Sequence, residues 1–357
     1  MSWLALTRWE WFKLRGRRVI WVLLAIIVLF SSLIVVFRFG DYQFQKDRTI
    51  RDEILLVPGA PKVDADVDCE AFVAGIMPDD LPSPLRVEHI DVELTQRECL
   101  KEIEEIEDRL AMLVDDFTLP GAIPKGLRWT QLISIPFLAF FTVLVVGSEY
   151  GWGTLRTVLM RGTGRWRFLS VKLALIVLAL AVTWILVLLT ILATSAIVTP
   201  FASGIGHGDW TAGAVGDVFS DTARAWVSGL PYVALAALLT VLFSNWAGGM
   251  LTATAVSVGY FFFELFSVGR LIKLFDGVAA FRWFGTFAEF DLGWNTAAWM
   301  FGEGGQPIPG FALAGAIGVA EYPSDLHAFL VQMAYLAALL ALAFWLFQRR
   351  DVAGPTG

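Results

Sequence analysis

Charged residues are scarce in this chain: Asp, Glu, Lys and Arg make up only 17% of its 357 residues. Soluble domains carry about a quarter of their residues as charged side chains. Hydrophobic residues account for 57% of the sequence, and the mean hydropathy is +0.64. This composition excludes a water-soluble globular protein and indicates an integral membrane protein.

The sequence also lacks the common motifs for nucleotide binding, metal binding and catalysis. The sequence has no G-x-x-x-x-G-K-[ST] phosphate loop, so the chain alone has no usual cradle for ATP. Its three histidines, His89, His207 and His327, lie in separate segments without the spacing of a zinc or haem site. Neither a G-x-S-x-G elbow nor a Cys–His pair points to a nucleophile. We therefore expect no catalytic, cofactor or metal site, and we expect that the chain is not an enzyme.

Six long apolar runs divide the chain. A bilayer core about 30 Å thick needs roughly 20 apolar residues in a helix to cross it. We therefore predict an all-α integral membrane protein with six transmembrane helices, at 19–37, 129–148, 173–198, 228–243, 247–266 and 326–347. Only Ser244, Asn245 and Trp246 separate the fourth and fifth runs, which favours a tight helical hairpin. One bent or re-entrant element is the alternative.

The distribution of Lys and Arg indicates the orientation of these helices, because cationic loops stay in the cytoplasm. Three segments are net basic, namely 1–18, 149–172 and the tail 348–357. The alternating segments are net acidic, namely 38–128, 199–227 and 267–325. The first of these holds 11 basic and 21 acidic residues. We therefore predict cytoplasmic termini and acidic segments outside the cell.

The N-terminal segment 1–18 interleaves aromatic and aliphatic residues with five basic ones. This composition predicts an amphipathic interfacial helix lying in the membrane surface, and an ordinary basic flank of a membrane anchor is the alternative. The span that follows ends at Phe37-Arg38-Phe39-Gly40, which offers no small-residue cleavage site. We therefore predict an uncleaved anchor.

The acidic segment 38–128 is predicted to be a helical extracytoplasmic domain. Its strongest helical pattern covers 92–117, where apolar residues recur at spacings of three and four, namely Ile103, Ile106, Leu110, Leu113 and Phe117. That apolar face favours packing on a partner helix, such as a continuation of the first span through Phe44, Ile50 and Ile54. The other faces are rich in Glu, and we predict that they are solvated rather than bound to a cation.

Cysteine is nearly absent, and its two copies, Cys69 and Cys99, both lie in the segment 38–128. An oxidising exterior permits a disulfide between them, and two cysteines allow only one pairing within the chain. We therefore predict a Cys69–Cys99 disulfide. Two free thiols, or a bridge between subunits, are the alternatives.

The cytoplasmic loop 149–172 carries five basic residues against the single acid Glu149. Residues 154–161 are suited to a short helix, and Gly162 and Gly164 supply a turn with few steric limits. Glu149 lies at the membrane edge, where we predict a salt bridge to the first helix rather than proton chemistry. The loop is therefore either a docking element for a partner or a basic loop that only satisfies topology.

The run Glu149-Tyr150-Gly151-Trp152-Gly153-Thr154-Leu155-Arg156, followed by Arg165 and Lys172, resembles the permease subunits of type-2 ABC exporters. The surrounding plan resembles theirs as well, with a basic amphipathic start, six spans, a tight hairpin and a long outer segment before the last span. Two features depart from the family pattern. Gly162-Thr163-Gly164 stands where many relatives carry Pro or Ser, and the domain 38–128 is unusually large.

This resemblance implies a cytoplasmic coupling element that contacts an ATPase, with the residues Glu149, Gly153, Thr154, Arg156, Arg161 and Arg165. It implies two copies of a separate ATPase subunit, on which ATP and Mg²⁺ bind, and a second permease copy or a similar partner. It also implies a multi-pass protein surrounded by lipid in the bacterial plasma membrane, with no nucleic-acid partner.

Glu264 is the clearest acid within a predicted span, and acids in the membrane are functional candidates by default. Either it forms an intramembrane polar site, or Arg270 and Lys273 neutralise it at the outer interface. The other span residues are mostly apolar or small, which favours an amphipathic or lipid-like cargo. The outer segment 267–325 is rich in aromatic residues and glycine, and we predict interfacial or re-entrant helices there.

Three functions fit such a chain. The favoured one is the membrane-spanning permease subunit of an ABC exporter. The second is a mechanotransmitting permease that moves the domain 38–128 to regulate an extracellular partner. The third is a membrane scaffold or accessory subunit that transports nothing.

Overall fold

The computed structural model describes residues 3–47, 110–151, 154–160, 164–202, 205, 208–244, 248–264, 289–301 and 323–349. Within these ranges the chain consists of helices joined by turns and contains no strand. The helices are α1 (Trp3–Arg15), α2 (Arg18–Asp47), α3 (Ala122–Gly151), α4 (Leu155–Met160), α5 (Arg165–Val198), α6 (Ala212–Phe243), α7 (Gly249–Phe263), α8 (Leu292–Phe301) and α9 (Asp325–Arg349). A further helical stretch at 110–117 precedes α3. The predicted all-α class is confirmed for the described chain.

Five of the described helices are long and apolar enough to cross a membrane. These candidate spans are Arg18–Phe44, Ala122–Tyr150, Arg165–Phe201, Ala212–Phe243 and Asp325–Arg349. They correspond to five of the six predicted spans. α7 covers 15 residues, fewer than the roughly 20 that a bilayer core needs. The span predicted at 247–266 therefore stays a prediction, as does the six-span topology.

Some helices, α5 and α6 among them, begin earlier than hydropathy predicts. α6 begins at Ala212 rather than at 228, and Thr211 caps it by accepting a hydrogen bond from the backbone N–H of Ala214 at 3.1 Å. α5 begins at Arg165 rather than at 173. Both added stretches contain charged residues, which lower the local hydropathy without interrupting the helix. Hydropathy finds the part of a helix that lies in lipid, whereas capping residues define where the helix begins.

Contacts divide the chain into two compact units, of which the first is Met1–Ser31, Pro124–Thr190 and Thr211–Gly357. Its centre is a cluster of small and aliphatic residues from α3, α6 and α7, namely Ala139, Val143, Ala236, Leu239 and Ala253. Gly147 marks a close approach, because a Cβ atom there would lie 3.0 Å from Met250 Cγ and 3.1 Å from Thr240 Cγ2. Small residues allow helices to pack closely in a membrane, where no hydrophobic effect drives them together.

A second cluster in this unit joins α3, α6 and α7 to the start of α8. It consists of Ile135, Tyr232, Phe261 and Leu292, with Tyr335 of α9 packed against it. α9 also packs along α6 and α8. These helices therefore surround the end of α7, where Glu264 follows the last helical turn.

The second unit comprises Ser32–Ile123 and Ile191–Trp210. Phe117, fully buried, packs against Phe39 and Tyr42 of α2, with ring centroids 5.5 and 5.3 Å away. Its carbonyl accepts a hydrogen bond from Ser195 Oγ at 2.5 Å. The prediction that the apolar face ending at Phe117 packs on a continuation of the first span is confirmed for these residues. Phe44, also named for that contact from the sequence, has a largely exposed side chain, and Ile50 and Ile54 lie outside the described residues.

Several predictions fall on parts of the chain outside these ranges. Most of the segment 38–128 is among them, including Cys69 and Cys99, so the disulfide stays a prediction. Most of the outer segment 267–325 is also among them, with Arg270 and Lys273.

Candidate functional site

α1 carries an acid on its buried face. Leu6, Glu10 and Leu14 follow one another at spacings of four, which places them on one side of the helix, and all three are buried. The helix ends at a short turn in which Gly16 N donates to Phe12 O at 3.3 Å and Arg17 N donates to Leu14 O at 3.1 Å. The burial of a carboxylate between two leucines requires a compensating cation.

Two lysines provide that compensation in a group of four side chains, Glu10, Lys13, Glu149 and Lys172, which we call the ion cluster. Lys172 Nζ lies 2.6 Å from Glu149 Oε2 and 3.3 Å from Glu10 Oε2. Lys13 Nζ lies 2.7 Å from Glu149 Oε1 and 3.4 Å from Glu10 Oε1. Each ammonium group thus contacts both carboxylates, and the ion cluster is electrically neutral.

The ion cluster is almost sealed from solvent. The side chains of Glu149 and Lys172 are each 1% exposed, that of Glu10 is 2% exposed, and that of Lys13 is 21% exposed. The charged groups also form hydrogen bonds with neutral partners. Lys172 Nζ donates to Val145 O at 2.6 Å, and Ser148 Oγ donates to Glu149 Oε2 at 2.9 Å. A buried charge is strongly destabilising unless it is paired and hydrogen-bonded, and these charges meet both conditions.

Three helices meet at the ion cluster, because Glu10 and Lys13 lie on α1, Glu149 near the end of α3 and Lys172 near the start of α5. Arg17, at the turn after α1, adds a hydrogen bond from Nη1 to Leu144 O at 3.1 Å. The predicted salt bridge between Glu149 and the first helix is therefore present. Its partner on α1 is a lysine, although arginines outnumber lysines in that segment.

α4 lies in the short connection between the two helices that the ion cluster joins. Thr154 N donates to Glu149 O at 3.1 Å, and Val158 N donates to Thr154 O at 3.1 Å, so α4 follows directly from the end of α3. Leu155 and Val158 are buried on one side of α4, and Arg156 and Met160 are exposed. α4 therefore presents a small basic and apolar face on the outside of a well-anchored connection.

The residues that the family resemblance singled out fall into distinct environments. Glu149 is inside the ion cluster, whereas Thr154 and Arg156 are exposed. Arg165 donates from Nη1 to Gln348 O at 2.7 Å and so joins the start of α5 to the end of α9. Gly153 and Arg161 lie outside the described ranges.

Aromatic side chains add to this junction between α5 and α9. The rings of Trp166 and Phe344 are 4.2 Å apart, and those of Phe168 and Phe347 are 6.2 Å apart and stacked. Tyr150, at the end of α3, meets Phe347 edge to face at 6.4 Å. The last turns of α9 therefore pack against the end of α3 and the start of α5.

Glu264 lies in a separate polar site of the same unit. It is buried, Tyr232 donates its hydroxyl to Oε2 at 2.8 Å, and the backbone N–H of Gly293 donates to Oε1 at 3.1 Å. A Cβ atom at Gly293 would lie 2.6 Å from Glu264 Cβ, so the packing here is tight. The contacts of Glu264 within the described chain thus resemble a second cap on the N-terminus of α8, beside Asp291, whose Oδ2 accepts from Trp294 N at 2.9 Å.

The sequence does not identify Glu10 and Lys172 as partners, although it contains a signal. Glu10 is the only acid among five basic residues in 1–18, and it shares a helical face with Leu6 and Leu14. An acid that lies on the same helical face as buried leucines, four residues from each, indicates an ion pair inside the protein. The identity of its partner, 162 residues away along the chain, depends on tertiary structure.

No protein-family model and no curated protein matches this chain. Its function is therefore inferred from its own residues and from the resemblance of the loop 149–172. Among the described residues, no group of three or more His, Cys, Asp or Glu side chains is arranged to hold a metal ion.

Proposed function

We propose that this chain is the membrane-spanning permease subunit of an ABC transporter, which exports an amphipathic or lipid-like substrate. ATP and Mg²⁺ bind to a separate ATPase subunit, present in two copies, and the chain works with a second permease copy. It resides in the bacterial plasma membrane with both termini in the cytoplasm. In this arrangement the chain catalyses no reaction itself.

The observation that carries this proposal is the exposed face of α4 between two helices that are joined at their ends. A permease needs a cytoplasmic element that an ATPase grips, and the element must move together with the transmembrane helices. In α4 the side chains of Arg156 and Met160 are exposed, whereas those of Leu155 and Val158 are buried. Its two neighbours, α3 and α5, are candidate spans of 29 and 37 residues.

The ion cluster supports the transmission of force from α4 into the membrane. The Glu149–Lys172 pair joins the end of α3 to the start of α5 at 2.6 Å, so a force applied through α4 would act on the two helices together. Interiors packed in this way transmit displacement rather than absorb it. An ATPase that closes on α4 would therefore change the tilt or separation of α3 and α5.

The cargo class follows from the composition of the candidate spans. The central cluster between α3, α6 and α7 is formed by Ala, Val and Leu side chains. The buried charges of the ion cluster are already neutralised by one another. A lipid-like molecule, with an apolar body and one polar end, suits such helices better than a hydrophilic ion.

Reversal of charge at Arg156 of α4 and at Arg161, which follows α4 in the sequence, tests the proposal. The tagged chain is purified in mild detergent, and the ATPase that copurifies is identified by its Walker motifs. Arg156→Glu with Arg161→Glu should lower the recovery of that ATPase by roughly tenfold, because like charges replace opposite ones at the contact. In proteoliposomes, ATP hydrolysis stimulated by a fluorescent short-chain phospholipid should fall in parallel.

The matched control is Arg349→Glu with Arg350→Glu, which makes the same change of charge at the end of α9. It should keep the ATPase and the stimulated hydrolysis. The permease proposal fails if the chain is recovered without any Walker-type ATPase. It also fails if the α4 variant keeps full association and hydrolysis.

A further inference from the structure

The exposed face of α1 is opposite to the face that joins the ion cluster. Arg8 and Arg15 are seven positions apart, about two helical turns, so they lie on the same side, and both are exposed. Trp11, between them, is exposed as well. Leu4 and Phe12 flank this face and are about four-fifths exposed, at 83% and 77%.

This face of α1 presents cations and no carboxylate. The single acid of α1 is Glu10, and it is 2% exposed and paired with Lys13 and Lys172. The ion cluster therefore removes the only negative charge of α1 from the exposed face. What remains is two guanidinium groups among large apolar side chains, and this pattern is complementary to an anionic surface with an apolar interior.

The position of α1 next to the first candidate span fits that surface. Trp21, exposed near the start of α2, donates from Nε1 to Arg15 O at 3.1 Å and so fixes the end of α1 to the beginning of α2. Tryptophan prefers the level of the lipid headgroups. The candidate span begins at Arg18, so the exposed face of α1 lies at the chain position where headgroup phosphates are expected.

We propose that the exposed face of α1, formed by Arg8, Trp11 and Arg15, binds the phosphate groups of anionic phospholipids in the cytoplasmic leaflet. Guanidinium groups bind phosphate oxygens in a bidentate manner, and Trp11, Leu4 and Phe12 insert between the lipid chains. The ion cluster connects α1 to the ends of α3 and α5. Lipid composition thereby acts on the connection that contains α4, independently of any cargo.

Hydrogen exchange on the full-length chain tests this proposal without an ATPase. The chain is placed in nanodiscs of pure phosphatidylcholine, and in nanodiscs with added phosphatidylglycerol. Each basic residue near an anionic surface strengthens binding by roughly fivefold. With two arginines, amides of α1 should therefore exchange roughly 25-fold more slowly with phosphatidylglycerol. High salt should reduce this protection because exposed charges are screened.

Two variants assign the effect to the arginines. Arg8→Gln with Arg15→Gln should lose the protection by phosphatidylglycerol, whereas Arg8→Lys with Arg15→Lys should keep most of it. The matched control, Arg349→Gln with Arg350→Gln, removes the same charge from the cytoplasmic tail and should behave as the wild type. If the glutamine variant fails to fold, the comparison of the two lipids and its salt dependence decide the question.

Equal exchange of α1 in the two lipid compositions would overturn the proposal, and so would protection that survives in the glutamine variant. A separate sample with a purified ATPase subunit added tests for a protein-docking surface. Protection that appears only in that sample, whatever the lipid, would also overturn the proposal. Because the comparison of the two lipids contains no ATPase, its result does not depend on whether the permease proposal is correct.

Discussion

Lys172 Nζ lies 2.6 Å from Glu149 Oε2, and both side chains are buried with only 1% of their surface exposed. These residues lie on either side of α4, near the end of one candidate span and near the start of the next. A buried ion pair is weak support for stability in general, because desolvation opposes the attraction. Its position here joins the end of α3 to the start of α5, the two helices that α4 connects.

Removal of Lys172 should be strongly destabilising. Lys172→Met leaves Glu10 and Glu149 with Lys13 as their one remaining partner in the ion cluster, so the buried group becomes net negative. We expect a loss of about 3 kcal/mol in the free energy of unfolding, the cost of an uncompensated buried charge. The measurement is the thermal midpoint of the purified chain in detergent.

The double variant Lys172→Met with Glu149→Gln supplies the control for charge balance. It returns the ion cluster to neutrality, with Glu10 and Lys13 still paired, and should be more stable than Lys172→Met alone. Arg156→Met, which removes an exposed cation from α4, should change the thermal midpoint very little. Additive losses in the double variant would contradict the view that the four side chains act as one group.

Part of this site is visible in the sequence. The basic loop 149–172, the short helix within it and a salt bridge from Glu149 to the first helix follow from local composition and charge. The partners Glu10 and Lys172 do not, because the pairing depends on how α1 folds back against α3 and α5. The bond from Arg165 to Gln348 was missed for the same reason, since it connects residues 183 positions apart.

The helix boundaries likewise depend partly on local sequence and partly on contacts between residues that are distant along the chain. Hydropathy identifies five of the described helices as candidate spans. It places the start of α6 too late, because Asp217, Asp221 and Arg224 lie in the first turns of that helix. One of these charges is used at long range: Arg224 Nη2 lies 2.7 Å from Asp325 Oδ2 at the start of α9. Tertiary pairing of this kind allows charged residues to extend a helix beyond its apolar part.

Enlargement of Gly147 should separate the helices of the central cluster. A Cβ atom there would lie 3.0 Å from Met250 Cγ and 3.1 Å from Thr240 Cγ2, so the branched side chain of Gly147→Val must displace these side chains or the helices α7 and α6 that carry them. Overpacking of this kind costs about 1–3 kcal/mol. The matched control is Gly259→Val in α7, where no atom lies within 4 Å of the added Cβ. A lower thermal midpoint for Gly147→Val, and not for Gly259→Val, is the expected result.

The predicted topology is testable at two exposed positions. Thr157 lies on α4, which we place in the cytoplasm, and Asp209 lies in the segment 199–227, which we place outside. In a background with Cys69 and Cys99 replaced by serine, a membrane-impermeant maleimide applied to intact cells should label Asp209→Cys and not Thr157→Cys. Both should be labelled once the membrane is permeabilised. Labelling of Thr157→Cys in intact cells would reverse the orientation and remove α4 from the side where ATP is available.

The cap of α8 makes the stability of the chain depend on pH. Asp291 accepts the hydrogen bond from Trp294 N at 2.9 Å, yet burial raises the pKa of its carboxyl above the ordinary value, with the backbone hydrogen bonds opposing that shift. A folded-state pKa above the unfolded one means that the folded protein binds the proton more tightly. This contribution to stability is complete below the unfolded pKa and is lost as pH rises through the folded pKa.

Asp291→Asn isolates this effect, because asparagine still caps the helix but cannot ionise. Thermal midpoints of the wild type and the variant are compared between pH 4 and pH 7 in the same detergent. The difference, variant minus wild type, should become more positive as pH rises, since the wild type alone must bury an additional charge. A flat difference for Asp291→Asn would mean that the Asp291 carboxyl is ionised as easily in the folded chain as in the unfolded one.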